Sequence, residues 1–237
     1  MLLGFGSKTF PALAGEAIVS FTFDDFPHSA LAVGGAILKD YGVRGTFYAA
    51  ASLRDAETEM GRYYTAEDLV RLVADGHELG CQGFSQIDCG RASGSQILAD
   101  ATRNSTQISG WLKGYQVSSF AYPQGRASLI ARRVVSRRYA TCRGAKPGIN
   151  GASVDLGYLR ANRIGSGPGI VEAARALIAR NAEERGWLIF HTRDVSENPS
   201  ENGCNSSDFE AVVKAAVKSR GRVLPMRSAV GLVAASA

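Results

Sequence analysis

The sequence predicts a single α/β domain, with a βα-barrel as the first choice of architecture and a doubly wound open sheet as the second. Three observations support this prediction. Strand-like and helix-like segments alternate along nearly the whole chain. The strand-like segments are short apolar runs, which is typical of parallel strands covered by helices. The 237 residues contain neither an internal repeat nor an obvious linker, so we expect one sizeable core.

Eight strands are predicted from runs rich in β-branched and aromatic residues. The first, residues 17–23, ends at Asp24-Asp25. The others are residues 45–50, 78–83, 118–122, 139–143, 158–164, 187–191 and 222–225. Such runs indicate seven or eight β/α units.

Helical periodicity predicts helices at residues 29–40, 65–75, 94–113, 128–138, 170–185 and 207–219. Thr65 is the predicted N-cap of the second helix, and Gly76 ends it. Ser206 or Ser207 is the predicted cap of the last one. Residues 144–153 are rich in Gly, Pro and Asn and predict a loop. Residues 1–16 are predicted to be an N-terminal extension and residues 17–237 the domain.

The composition argues against the disordered, coiled-coil and collagen classes of protein. Hydrophobic residues make up 45% and charged residues 21%, as in ordinary globular domains. The net charge is +5 and the pI about 9.1, but the basic residues are spread along the chain, so we expect no nucleic-acid partner. Four cysteines without CxxC spacing predict free buried thiols, namely Cys81, Cys89, Cys142 and Cys204.

Membrane insertion is not expected either. No apolar stretch reaches the ~18 residues that a spanning helix needs. The first residues lack the basic region of a signal peptide. The expectation is therefore a soluble protein that is cytoplasmic rather than secreted.

Polar residues follow three of the predicted strands: Asp24-Asp25, Gln82 with Gln86, and His191. In both candidate architectures, chemistry gathers at the carboxyl ends of the strands. One of the two carboxylates could bind a metal while the other acts as a base; the alternative is a helix cap and a surface group. His191 is suited to proton donation, although a core histidine is the simpler interpretation.

Five motifs in this order resemble the polysaccharide deacetylases of the NodB type. The first is Phe21-Thr22-Phe23-Asp24-Asp25, and the second runs from Gly76-His77-Glu78 to Gln86. Residues 120–125 resemble the third motif, residues 188–191 the last, and residues 223–225 a further family-like stretch. The resemblance covers residues 17–226. It implies a distorted (β/α)7-type barrel that removes acetyl groups from N-acetylated sugars.

The resemblance also implies roles for individual residues. Asp24 would be the general base, His191 the general acid, and Asp25 a metal ligand together with positions 82 and 86. Tyr122, Pro123 and Gln124 would bind substrate, with the backbone near Tyr122 holding an oxyanion. The implied cofactor is a divalent metal, zinc by resemblance, and the implied partner is an N-acetylated saccharide.

The sequence departs from the family at the positions that matter most for the metal. Gln82 and Gln86 stand where the family has two histidines, and a neutral amide oxygen is a poor zinc ligand. We therefore expect weak or absent metal binding. The arginine that would orient the base is missing at Ala121, and Arg160 or Arg163 are the candidates to replace it.

Three explanations of the glutamines remain open: natural loss of the metal, an engineered change, or a metal-independent amide hydrolase that opens cyclic ureides or imides. The leading hypothesis is a hydrolase of carbon–nitrogen amide bonds with impaired metal-dependent activity. The alternative is a non-catalytic carbohydrate-binding protein, because amides hydrogen-bond well to sugar hydroxyls. The sequence does not indicate the oligomeric state.

Overall fold

Seven parallel strands form the central sheet. Strands that are neighbours in the sheet are consecutive in the chain, except that the last of the seven pairs with the first. The structure is a computed structural model and describes residues 9–11, 15–58, 61–151 and 153–235. The strands are β1 (Ile18–Phe23), β2 (Thr46–Ala49), β3 (Glu78–Cys81), β4 (Ser119–Ala121), β5 (Thr141–Arg143), β6 (Asn162–Arg163) and β7 (Trp187–Thr192). β7 pairs with both β6 and β1, so the order runs from β6 through β7 and β1 to β5.

The two edges of this sheet approach each other. Arg143 at the end of β5 forms a parallel bridge with Leu159, which lies just before β6. The sheet therefore curls into a barrel, and the predicted (β/α)7-type barrel is confirmed over the doubly wound alternative. An additional strand, Arg222–Val223, pairs with the first residues of β1.

No helix connects β5 to β6 in the described part of that segment. Two buried amide side chains hold the connecting loop instead. Asn150 donates to the carbonyls of Arg160 and Trp187, and Asn162 donates to those of Gly148 and Ile189. The predicted strand at residues 158–164 is thus reduced to Asn162–Arg163, because the residues before it bond to the loop.

Seven α-helices occur in the described residues: α1 (Ala36–Asp40), α2 (Ala66–Ala74), α3 (Gly94–Trp111), α4 (Leu129–Val135), α5 (Ile170–Glu184), α6 (Ser206–Lys218) and α7 (Met226–Ala235). A π-helical turn, Ala30–Gly35, precedes α1, and 3-10 turns lie at Ala51–Leu53 and Pro123–Gly125. Thr65 caps α2 as predicted. The predicted Ser206 or Ser207 cap of α6 is wrong, because Asn205 accepts from the Ser207 N–H.

Three short strand pairs lie outside the barrel: Glu57–Thr58 with Gly61–Arg62, Val195–Ser196 with Cys204–Asn205, and Thr9–Pro11 with Ser153–Asp155. The last pair joins the predicted N-terminal extension to the domain; residues 1–8 and 12–14 of that extension lie outside the described residues. None of the helices in the described ranges is long and apolar enough to cross a bilayer. All four cysteines are buried thiols that form no disulfide, as predicted.

Alternation along each strand sorts the core into two layers. Phe21, Phe23 and Phe47 point outward and pack beneath the helices, with Phe209 of α6 in edge or tilted contact. Inward residues such as Tyr48 and Ile189 pack with α7 at the base of the barrel. Helix α7 was not predicted, although its apolar residues are those that fill this base.

The inward face also carries polar residues, and Glu78 organises them. Its carboxylate accepts from Thr46 (3.0 Å), from Ser119 (2.7 Å) and from the backbone N–H of Arg227 (2.7 Å). These bonds tie β2, β3 and β4 to the start of α7. Every second residue of each strand faces inward, so the same periodicity brings Asp24, Gln82, Arg143 and His191 toward the opposite end of the barrel.

His77 lies away from that end of the barrel, and its role there is structural. It is 4% exposed, and its Nδ1 accepts from the Gly45 N–H at 3.1 Å. Burial, assisted by the charge of Arg44, lowers the pKa of His77 to about 4. The neutral imidazole is therefore favoured in the folded state.

This pKa predicts a specific loss of stability in acid. The unfolded chain protonates His77 near its ordinary pKa of about 6.5, so the folded state loses stability as pH falls from there through about 4. His77→Asn keeps an acceptor for Gly45 but cannot titrate. We expect the wild type to lose about 2 kcal/mol more than this variant between pH 7 and pH 4.5 in urea unfolding. Equal losses in the two proteins would contradict the prediction.

Candidate active site

A cavity of about 490 Å³ opens at the carboxyl ends of the strands. It is polar and contains residues from six barrel strands or the loops that follow them. The lining residues are Asp24, Asp25, Gln82, Ser85, Gln86, Pro123, Gln124, Gly125, Ala145, Arg163, His191, Arg193 and Asn202. The structure therefore brings together both aspartates, both glutamines and the histidine singled out in the sequence.

The backbone turns sharply after β1, and this turn lets two adjacent carboxylates face one cavity. The Asp24 N–H still continues the ladder by donating to the Thr192 carbonyl at 2.8 Å. Asp25 and Phe26 then adopt left-handed conformations, with φ of 60° and 49°. Gln86 and Gln124 are also left-handed, so strained backbone is concentrated around the cavity.

Asp24 lies between two cationic or ionisable partners. One carboxylate oxygen pairs with the Arg143 guanidinium, and the other is 3.4 Å from His191 Nδ1. Burial alone would raise the pKa of Asp24, but Arg143 and the contact with His191 outweigh it, so the pKa is lowered. Asp24 is therefore held as a carboxylate at neutral pH.

Asp25 is enclosed by a different set of partners. Its two carboxylate oxygens contact the Arg193 guanidinium and the Gln86 side-chain amide, and its backbone N–H donates to Gln82 Oε1 at 2.7 Å. Burial, and then the charge of Asp24, raise the pKa of Asp25 more than Arg193 and Gln86 lower it. Both glutamines thus bind Asp25 directly.

The loop that carries the glutamines is fixed by Asp100 of α3. The Asp100 carboxylate accepts from the backbone N–H groups of Phe84 (2.8 Å) and Ser85 (3.0 Å) and from the Ser85 hydroxyl (2.8 Å). A Cβ at Gly83 would lie 2.5 Å from Asp100 Oδ2, and its φ is +79°, so glycine is required there. The loop is held in one conformation around Asp25.

The three residues with implied substrate contacts differ in position. Pro123 and Gln124 line the cavity. Tyr122 is buried, and its hydroxyl donates to the Gly157 carbonyl at 3.1 Å. Its backbone N–H donates to the Arg143 carbonyl at 2.9 Å. The Tyr122 N–H itself is thereby engaged, and an oxyanion contact from the backbone near Tyr122 stays a prediction.

The residues present do not fit the divalent metal that the resemblance implies. Asp25 is already paired with a guanidinium, and a metal beside it would be repelled by Arg193. Gln82 and Gln86 offer only amide atoms, and these are bonded to Asp25. Within the described ranges, no group of three or more His, Cys, Asp and Glu side chains is arranged to hold a metal ion.

Two arginines that contact the aspartates were not singled out in the sequence. Arg143 makes the contact with Asp24 for which Arg160 and Arg163 were the candidates. Those two instead bond to the Pro147 carbonyl and to residues 201–202. Arg143 pairs in register with Ala121 on the neighbouring strand, so the arginine stands one strand away from its expected position.

Arg193 was the second omission. It lies two residues after His191, on the same side of the extended chain. In both cases the available signal was a charged residue at the end of an apolar strand, the same signal that identified Asp24 and His191.

Comparison with known proteins gives one family. A model described as polysaccharide deacetylase matches residues 14–140, more than half of the chain. Arg143, His191 and Arg193 lie beyond the matched range. No curated protein matches the chain.

Several solved structures share the fold. A family 4 acetyl xylan esterase from Clostridium thermocellum, in complex with a cobalt ion, has 16% identity and a TM-score of 0.63 over 91% of each chain. A mutant peptidoglycan deacetylase from Bacillus subtilis has 15% identity and a TM-score of 0.57 over 93% of each chain.

A CE4-family pseudoenzyme from Bacillus anthracis has 12% identity and a TM-score of 0.61, over 91% of this chain and 66% of that one. A mutant CE4-family pseudoenzyme with restored enzymatic activity has 11% identity and a TM-score of 0.62, over 91% of this chain and 68% of that one. At such identities these similarities show the fold alone.

The buried pair between Arg143 and Asp24 predicts a large effect on stability. Arg143→Gln leaves the carboxylate without its main partner, so we expect a loss of about 3–5 kcal/mol in urea unfolding at pH 7. Arg180→Gln removes an exposed pair with Glu184 on α5 and should cost at most about 0.5 kcal/mol. Similar losses for the two variants would show that the Arg143 pair is energetically unimportant.

Proposed function

Because the chain belongs to the polysaccharide deacetylase family, we propose that it hydrolyses the carbon–nitrogen amide bond of N-acetylated sugars with its own side chains as the acid–base machinery. The single observation that carries this proposal is the position of Asp24. It is a cavity carboxylate whose pKa is lowered by Arg143 and His191 against the effect of burial, and it is in contact with an imidazole that faces the same cavity.

The proposed reaction uses one water molecule and two proton transfers. Asp24 takes a proton from water as the water oxygen forms a bond to the acyl carbon. The carbon–nitrogen bond then breaks, and the protonated His191 imidazole donates a proton to the leaving nitrogen. The products are acetic acid, which ionises to acetate, and the free amine of the sugar, and the proton taken by Asp24 passes to His191 to restore both groups. Nδ1 of His191 faces Asp24, so Nε2 is the nitrogen assigned to the leaving group.

Arg143 is a positioning residue in this scheme. It fixes one oxygen of Asp24 and keeps the carboxylate ionised, and it is itself held by the Gly144 carbonyl at 3.0 Å. Its guanidinium also lies 5.0 Å from the centre of the Tyr48 ring, inside the barrel. We assign it the base-orienting role that the sequence left empty at Ala121.

Zinc has at most a weak role in the proposed activity. Gln82 and Gln86 each form a hydrogen bond with Asp25, and Arg193 contacts the Asp25 carboxylate. The acetyl xylan esterase that shares the fold is described in complex with a cobalt ion. That complex concerns the residues of the esterase and not those of this chain. We propose that the activity of this chain survives treatment with a chelator.

Pro123 and Gln124 are proposed to contact the saccharide, since they form one wall of the cavity. Tyr122 supports that wall from behind, where its ring packs against Tyr158 with centroids 5.7 Å apart. An open polar cavity with amide side chains suits a ligand rich in hydroxyl groups.

A second candidate function is non-catalytic saccharide binding. It is favoured by Gln82 and Gln86, whose amides stand where the family has metal-binding histidines. It is also favoured by the fold shared with a CE4-family pseudoenzyme. This candidate needs the cavity but not the ionised state of Asp24. The two functions therefore differ in their response to loss of that carboxylate.

The test is acetate release by the chelator-treated protein from chitooligosaccharides, which are amides, and from acetylated xylan, which is an ester, with ring opening of a cyclic ureide followed separately. Asp24→Asn should lower kcat/KM by about 10²–10⁴ because the base is lost. Asp40→Asn changes an exposed aspartate at the end of α1 and serves as the matched control.

Two outcomes would reject the hydrolase. One is an Asp24→Asn variant as active as the wild type. The other is no turnover of any substrate by a wild type that binds chitooligosaccharides in calorimetry, which supports the binding protein instead.

A further inference from the structure

Arg193 combines two positions that are seldom found together. Its guanidinium contacts the buried Asp25 carboxylate, which is 9% exposed, yet 24% of the Arg193 side chain remains exposed. Arg193 lines the cavity together with His191 and Asp24. A fixed positive charge therefore faces the space in which a ligand would lie.

We propose that Arg193 is the resident cation of this cavity, taking the place of a metal ion and holding the acyl oxygen of the bound ligand. The inference rests on the proposed function, because the oxygen in question is that of the acetyl group. It deepens that function by naming the group that receives the negative charge developing on the oxygen.

Charge balance supports this assignment. Asp24 is paired with Arg143, and Asp25 with Arg193, so the aspartate pair is neutralised without any added ion. A guanidinium carries five N–H donors in one plane, and it can contact a carboxylate and a second oxygen at the same time. Donors aimed at a developing oxyanion are among the strongest contributions to acyl-transfer catalysis.

Arg163 is the natural comparison within the same cavity. It has the same charge and also lines the wall, but its guanidinium is turned to Asn202 Oδ1 (3.2 Å) and the Glu201 carbonyl (3.1 Å). It does not contact either aspartate. A role based on overall positive charge would involve both arginines, whereas the proposed role involves Arg193 alone.

The first experiment tests whether Arg193 excludes a metal ion. Zinc affinity is measured by competition with a chromophoric chelator for Gln82→His/Gln86→His and for the same variant carrying Arg193→Gln. Removing Arg193 frees Asp25, so we expect zinc to bind at least tenfold more tightly to the triple variant. Arg163→Gln in the same double-histidine background should change the affinity less than threefold. Equal affinity with and without Arg193 would overturn the proposal.

The second experiment tests whether Arg193 holds an acyl oxygen. Acetate is titrated into chelator-treated wild type, Arg193→Gln and Arg163→Gln, with binding followed by NMR. We expect a tenfold or greater loss of acetate affinity for Arg193→Gln and less than threefold for Arg163→Gln. Asp25→Asn/Arg193→Gln removes both charges together and provides the measurement if the single variant does not fold.

Unchanged acetate affinity without Arg193, or no acetate binding by the wild type, would overturn the assignment. Neither experiment requires turnover. A chain that never releases acetate from a sugar would reject the hydrolase, while the zinc and acetate affinities would still decide the role of Arg193.

Discussion

Two adjacent carboxylates at the end of the central strand impose the main constraint on this structure. Asp24 and Asp25 are both largely withdrawn from water, and each raises the free energy of ionising the other. Two arginines from different parts of the barrel resolve the conflict, Arg143 from β5 and Arg193 just after β7. Arg193 follows β7, which pairs directly with β1, whereas Arg143 lies four strands away and reaches Asp24 only because the sheet curls, so the barrel and the Arg143 ion pair depend on each other.

Most of the fold was predictable because its signals are local. Apolar runs identified every barrel strand, and Thr65 identified the start of α2. The wrong or missing predictions concern segments whose conformation is decided by contacts with residues far away in the chain. Arg160 was predicted to lie in a strand but bonds to Asn150 in the preceding loop. Helix α7 forms because the base of the barrel offers an apolar surface to its buried residues.

The candidate site was predictable to the extent that strand ends converge. Asp24 and Gln82 each follow a parallel strand and His191 lies near the end of β7, and parallel strands bring their carboxyl ends to one rim. Arg143 and Arg193 also lie at strand ends. The sequence around a charged residue at a strand end does not show which residue it will pair with. For a related reason, only the neighbouring strand shows that the backbone N–H of Tyr122 already donates to Arg143.

The glutamines and Arg193 form one linked arrangement. Replacing two metal-binding histidines by amides would leave Asp25 as a buried charge with no compensating cation. Arg193 supplies that cation, Gln86 donates to the remaining oxygen, and Gln82 accepts from the backbone, so both carboxylate oxygens and the backbone N–H of Asp25 have partners. A guanidinium carries one charge on a fixed plane and polarises an acyl group less than a divalent ion. Hydrolysis at this site would consequently depend more on the Asp24 and His191 pair, and a chain that only binds sugars would need Arg193 for the integrity of the cavity alone.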